Sequence, residues 1–285
     1  MKLQKLEVFQ SMWAMQLRRP DGFEWPLAEK FEKIAAAGYD GVSIDLEDGN
    51  LEAGKQFAPF LAKHGLGVLV VGFPTCSEDF REVVAMARDL GARNITVNGR
   101  IFKNRPEEVV PQVRAWMEMG RKAGVPTYLE THRFTLTQDL IFTLQLLELM
   151  PEIEIVADLS HHLVSFEFSR PVPDWCQALV DKVLRRSIAF QGRIGTREQA
   201  QISIAFPQHQ YWVELFQDWW EKGFRYWRQR MKPDATMNFL CELGPPPYGI
   251  TGPDGYELVD RWDEALLIKD HVRKLWARLE AEMTG

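Results

Sequence analysis

The chain is poor in the features that mark several large classes of protein. Only 3 of its 285 residues are cysteine. Cys76, Cys176 and Cys241 show no paired spacing, so neither a disulfide framework nor a thiolate zinc site is indicated, and a reducing compartment, by default the cytoplasm, is expected. The longest apolar run, near Leu66 to Phe73, is far too short to span a bilayer, and the polar start MKLQKLEVFQ does not read as a signal peptide. No Lys/Arg-rich tract occurs and the formal charge is −6, which leaves no electrostatic reason to expect nucleic acid or an anionic membrane as a partner. A P-loop, a G-x-G-x-x-G fingerprint and a G-x-S-x-G elbow are all missing. Nucleotide-driven chemistry and serine hydrolysis therefore have no support. Nor does any Ser/Gly-rich linker or change of composition divide the chain.

What is there is ordinary globular material, 46% apolar and 26% charged, enough for one barrel-sized domain over residues 1–285. Short β-branched runs occur at 6–10, 41–46, 67–73, 94–98, 125–130, 153–158, 187–191 and 237–242. Helical patterns lie between them: Leu27, Phe31 and Ile34 before Gly38; Phe80, Val83, Val84, Ala87 and Leu90 before Gly91; Val109, Val113, Trp116 and Met117 before Gly120. A last helix carries Ala265, Ile268, Val272, Leu275 and Leu279. Eight strands alternating with helices predict an α/β fold, a (β/α)8 TIM barrel. The aromatic-rich segment 206–230 is longer than a standard barrel helix, so it is expected near the barrel mouth, the blander reading of its Trp and Phe residues being core or the interface of a homo-oligomer.

Polar residues close the late strands: Glu130 in YLETHR, Asp158 in ADLSHH, Gln191 and Arg193 in AFQGRIG, and Glu242 in FLCELGPPPYG. From Glu130 to Asp158 is 28 residues, from there to Gln191 is 33, and on to Glu242 is 51, each interval room for a returning helix. Carboxylates at consecutive strand ends converge on one face of a barrel, where such folds keep their active sites. Taken singly, Glu130 could as well cap a helix or pair with Arg133. Asp158 follows an apolar strand and is costly to bury unpaired, and His161 stands on the same loop. Glu242 sits in an apolar frame held by a stiff GPPPYG turn. Three carboxylates with a neutral donor make a hard or borderline site for one divalent ion, Mn²⁺, Mg²⁺, Co²⁺ or Zn²⁺. Such a site suits the enediolate chemistry of hydroxy-ketones, and two glutamates on opposite sides of a substrate would permit epimerisation.

At these residues the sequence resembles the xylose isomerase-like barrel superfamily of sugar isomerases and epimerases. ETHRFTLTQDL, ADLSHHLV, FQGRIGTREQAQI and CELGPPPYGITG are similar to a bacterial branch described only as sugar phosphate isomerase/epimerase. The resemblance implies Glu130, Asp158 and Glu242 as metal ligands and His161 as a substrate-oriented histidine. It also implies Arg193 or Arg197 as an oxygen clamp; Glu130 and Glu242, flanking a substrate, are the candidate proton carriers. The superfamily places His on the seventh strand as fourth ligand, and Gln191 stands there instead. An amide oxygen is a poorer donor to a borderline metal, which favours Mn²⁺ or Mg²⁺. His132, His162 and His209 are spare imidazoles, of which His132 is a candidate for contact with substrate. Trp13 offers an apolar platform for a sugar face, and Asp45, Glu47 and Asp48 form an acidic loop within reach. The implied substrate is a small carbohydrate: a ketose, inosose or keto-sugar. Alternatives are a metal-dependent lyase or dehydratase acting on a keto-glycoside or polyol, and a non-catalytic ligand-binding barrel.

Overall fold

A computed structural model describes residues 4–46 and 51–284 of the chain. Eight parallel strands close into a barrel in sequence order: β1 (Lys5–Ser11), β2 (Gly41–Leu46), β3 (Gly67–Gly72), β4 (Ile95–Val97), β5 (Thr127–Glu130), β6 (Ile155–Ala157), β7 (Ser187–Gln191) and β8 (Thr236–Cys241). The β1–β8 pairing, Lys5 opposite Thr236 through Gln10 opposite Cys241, completes the ring. Every strand falls on one of the apolar runs in the sequence, within a residue or two. Glu47 and Asp48 lie outside the described residues, and no helix among those described is long and apolar enough to cross a membrane.

Helices α1 (Leu27–Ala36), α2 (Leu51–His64), α3 (Ser77–Asp89), α4 (Val110–Ala123) and α5 (Leu140–Leu149) return the chain after the early strands. Two helices, α6 (Leu159–Ser165) and α7 (Asp174–Leu184), follow β6, and α8 (Gln210–Arg230) and α9 (Arg261–Thr284) follow β7 and β8. The periodic residues of the sequence patterns face the barrel: Phe31 and Ile34, Phe80 and Val83, Val113 and Trp116, and Ala265 through Leu279 are all buried. One expected stop is displaced. Gly120 does not end α4, which runs to Ala123 and is closed by Gly124 at φ +75°. Gly120 has a packing role instead, since a methyl group there would fall 1.9 Å from Thr127 Oγ1 on β5.

The aromatic segment follows the blander of its two expectations, core packing. Helix α8 is a wall of the helical layer, not a cover for the mouth. Trp219, Trp220, Phe224 and Trp227 are buried, with Trp220 edge-on to Phe239 at 5.2 Å and Phe224 against Phe190 at 5.3 Å. Its length is explained by the apolar stripe it lays across the backs of β7 and β8 and against α7 and α9. Those contacts also settle the facing of the strands. Phe190 and Phe239 point outward to α8, so the alternation of strand side chains turns Gln191, Leu240 and Glu242 inward. Inside the barrel Phe9, Leu69 and Leu240 form a separate apolar plug. Phe9 fits there because a side chain at Gly41 would lie 2.5 Å from its ring.

Candidate functional site

Above that plug the inward positions turn polar. Glu130 ends β5, Asp158 follows β6 and caps α6, Gln191 ends β7, and Glu242 follows β8; all are buried or nearly so. Glu130, Asp158 and Glu242 each offer an oxygen within 4.8 Å of the others. Of these, Glu242 lines a cavity of about 340 Å³ at the carboxyl ends of the strands, together with Trp13, Asn98, His132, Arg193 and Tyr248 among others.

Each side chain is held by its local structure. Asp158 Oδ1 accepts from the Ser160 N–H at 3.0 Å and its hydroxyl at 2.5 Å, the ordinary work of a helix cap. Asn98 Nδ2 donates to Glu130 Oε2 at 3.1 Å. Arg193, 1% exposed, enters among the carboxylates: Nη1 is 3.1 Å from Asp158 Oδ2 and Nη2 is 3.2 Å from Glu242 Oε1. Its Nε donates to the Glu242 carbonyl at 3.0 Å and its Nη1 to His161 Nε2 at 2.9 Å. Because a guanidinium only donates, His161 must carry its proton on Nδ1. His132 packs on His161 with ring centroids 3.9 Å apart, and its Nδ1 lies 2.5 Å from the Arg133 carbonyl. That bond leaves His132 Nε2 as the basic nitrogen.

The electrostatics are strained in one direction. Burial raises the Glu130 carboxyl well above its usual range, with Glu242 and Asp158 adding to it. Burial pushes Glu242 up to about 7 against the opposing pull of Arg193, and it raises Asp158 likewise. Arg193 is itself disfavoured by burial, but the Glu242 and Asp158 charges more than offset this and its pKa is raised. Burial also lowers His132 to about 3 and His161 well below its ordinary value, Arg193 contributing to both, so these imidazoles are neutral near pH 7.

These features decide whether a divalent cation fits. With the carboxylates ionised, three negative charges face one guanidinium and a net charge of −2 stays buried, which is the complement of one divalent ion. Glu130 Oε1, Gln191 Oε1 and Glu242 Oε2 are buried oxygens with no hydrogen-bond partner among the described residues. Such orphans call for an explanation, and an ion held by oxygen supplies one. The donor set therefore fits a hard cation.

Of the two candidate arginines, only Arg193 joins this cluster. Arg197 is 39% exposed in its side chain and pairs with Glu198 at 2.9 Å and Glu167 at 3.5 Å, outside the carboxylate cluster. Trp13 lies in a 3-10 turn just past β1, not at its end, and its ring faces Tyr248 edge-on at 5.3 Å. His162 is structural, its Nε2 bonded to the Thr137 carbonyl at 2.8 Å, and His209 bonds the Ser203 carbonyl at 2.6 Å. Asp45 lines the cavity. Sequence reasoning passed over Asn98, Arg100 and Tyr248. Asn98 closes the run NITVN and so obeys the same strand-end rule as Glu130; Tyr248 was hidden in a turn read only for its prolines.

No protein-family model matches the chain, and no curated protein matches it in sequence. Solved structures do match in shape. A xylose isomerase-like TIM barrel protein from Mycobacterium smegmatis, in complex with magnesium, superposes with a TM-score of 0.60 over 94% of this chain and 97% of that one at 15% identity. D-allulose 3-epimerase from Methylomonas sp., in complex with D-allulose, gives 0.60 over 95% and 97% at 13% identity. The probable 3-DHS dehydratase AsbF from Bacillus anthracis gives 0.52 over 82% and 92% at 14% identity. At such identities the likeness is one of fold. The chain has the architecture of the xylose isomerase-like TIM barrels.

Proposed function

We propose that the protein is a divalent-cation-dependent isomerase or epimerase of a small hydroxy-ketone carbohydrate. The observation that carries this reading is the set of three inward carboxylates on β5, β6 and β8, mutually within 4.8 Å and short of two positive charges. Glu130, Asp158, Gln191 and Glu242 would hold one ion, Mg²⁺ or Mn²⁺ by the chemistry of four oxygen donors. Bound there, the ion supplies a Lewis acid beside the substrate carbonyl. The epimerase and magnesium-bound barrels of the same fold support the reading.

The chain's own residues then divide the remaining work. Glu130 ends β5 and Glu242 follows β8, three strands apart in the ring, so a substrate between them meets a carboxylate on two sides. One takes the proton from the carbon beside the carbonyl, leaving an enediolate, and the other returns a proton to the opposite face. His161, through its Nδ1–H, is suited to donate to a substrate oxygen, since that buried nitrogen has no partner among the described residues. Trp13 and Tyr248 supply an aromatic wall for the apolar face of a sugar.

Elimination from the same enediolate is the second reading, favoured by the dehydratase of this fold. Proton NMR in deuterated water distinguishes them, with ketoses, inososes and 3-keto-glycosides supplied in turn alongside Mg²⁺, Mn²⁺, Co²⁺ and Zn²⁺. Carbon-bound deuterium with the skeleton retained identifies an isomerase; released water or aglycone identifies a lyase. His161→Ala should keep the ion and lose the exchange. A wild type that exchanges no carbon-bound proton with any of these substrates would leave only a ligand-binding barrel.

A further inference from the structure

Resting on the metal reading above, we infer that Arg193 is an internal competitor for the cation: its guanidinium bridges Asp158 and Glu242 at the carboxylates an ion would use, and loading the ion displaces it toward the substrate cavity. The oxygen inventory points to this. Asp158 Oδ1 is committed to Ser160, so Oδ2 is the oxygen left for a metal, and that is the atom Arg193 Nη1 approaches at 3.1 Å. On Glu242 the guanidinium takes Oε1 and leaves Oε2. One planar fork thus engages two of the three carboxylates that the ion would use, a geometry a point charge cannot reproduce.

The displaced side chain has somewhere to go. Arg193 lines the cavity, and its guanidinium carbon already lies 5.0 Å from the Tyr248 ring and 5.7 Å from that of Trp13. The two aromatic faces offer a cation–π berth beside the place for substrate oxygens. Cation loading would then build the anion-binding half of the site, so that metal precedes substrate. Removing the guanidinium has the opposite effect to removing a ligand: it strengthens metal binding and weakens the metal-free protein, whose carboxylates lose their counter-ion.

Two measurements test this without turnover. Titration of Mn²⁺ followed by the paramagnetic resonance of the free ion should give Arg193→Met a dissociation constant lower than wild type by about tenfold or more, the scale of coupling between desolvated charge pairs. In wild-type protein, titration with Mg²⁺ should shift the side-chain Nε–H resonance of Arg193, which donates to the Glu242 carbonyl at 3.0 Å, with the same midpoint as ion binding. This second arm needs no variant and stands if Arg193→Met fails to fold. Equal or weaker Mn²⁺ binding by the variant, or Mg²⁺ binding with the Arg193 resonance unmoved, overturns the inference alone. No ion binding by either protein instead sinks the metal reading, and the inference falls with it.

Discussion

Asn98 Nδ2 donates to Glu130 Oε2 at 3.1 Å between two fully buried side chains, and the bond leaves Glu130 Oε1 as the oxygen without a partner. Neighbouring groups that orient a ligand matter nearly as much as the ligand itself, typically by about 10- to 100-fold in metal affinity. Asn98→Ala should therefore weaken Mg²⁺ or Mn²⁺ binding by roughly that factor without abolishing it. Calorimetric titration reads the change, and an unaltered dissociation constant would show that Asn98 does not set the carboxylate's orientation.

Most of the barrel was legible because its strands are short, apolar and punctuated, and the strand-end carboxylates stand out against that background. Glu130, Asp158 and Glu242 could be found because a charge directly after an apolar run has few innocent explanations. Arg193 was harder to place than its position suggests. Nothing local distinguishes it from Arg197 four residues on; only the closure of β7 against β8 puts one among the carboxylates and the other on the surface. Segment 206–230 stood open between two readings for a related reason, since a stripe of tryptophans reads alike whether it covers a pocket or packs on the backs of strands.

Gln191 is the test of metal preference. Its Oε1 is buried and unpartnered at the end of β7, and exchanging an amide oxygen for imidazole makes the donor set softer. Gln191→His should raise affinity for Zn²⁺ and Co²⁺ by about tenfold or more relative to Mg²⁺, following the ligand preferences of these ions. Competition dialysis of paired ions measures the ratio; an unchanged ratio would place the residue 191 side chain outside the coordination.

Gly244 fixes the aromatic wall. A methyl group there would lie 2.2 Å from the Trp13 ring, so Gly244→Ala must push the indole into the cavity or out of contact with Tyr248. Overpacking of this kind costs about 1–3 kcal/mol. The expected result is a lowered melting temperature and a raised KM, with metal stoichiometry retained. A variant with wild-type KM would remove Trp13 from the substrate surface.

Glu242 links the site to pH. Its carboxyl, buried beside Asp158 and Arg193, is raised from 4.5 to about 7 in the folded chain. A group raised in this way holds its proton more tightly when folded. The stabilisation is complete below about pH 4.5 and is lost as pH rises through about 7, by on the order of 3 kcal/mol for a shift of this size. Burial raises Glu130 and Asp158 in the same sense, so their effect adds to that of Glu242. Metal-free protein in chelator should consequently melt lower at pH 8 than at about pH 6.5. A divalent ion binds the ionised carboxylates and opposes this trend, so saturating Mg²⁺ should flatten the fall, and apparent Mg²⁺ affinity should climb as pH rises through about 7. His132, His161 and His162, all lowered by burial, act in the opposite sense: their contribution to stability grows as pH rises to about 6.5 and is constant above it, so a fall beyond that pH belongs to the carboxylates. Melting curves from about pH 6.5 to 8, with and without Mg²⁺, decide the matter: a metal-free protein whose stability is flat or rises over that interval would mean that Glu242 ionises at its ordinary value and that burial does not oppose its charge.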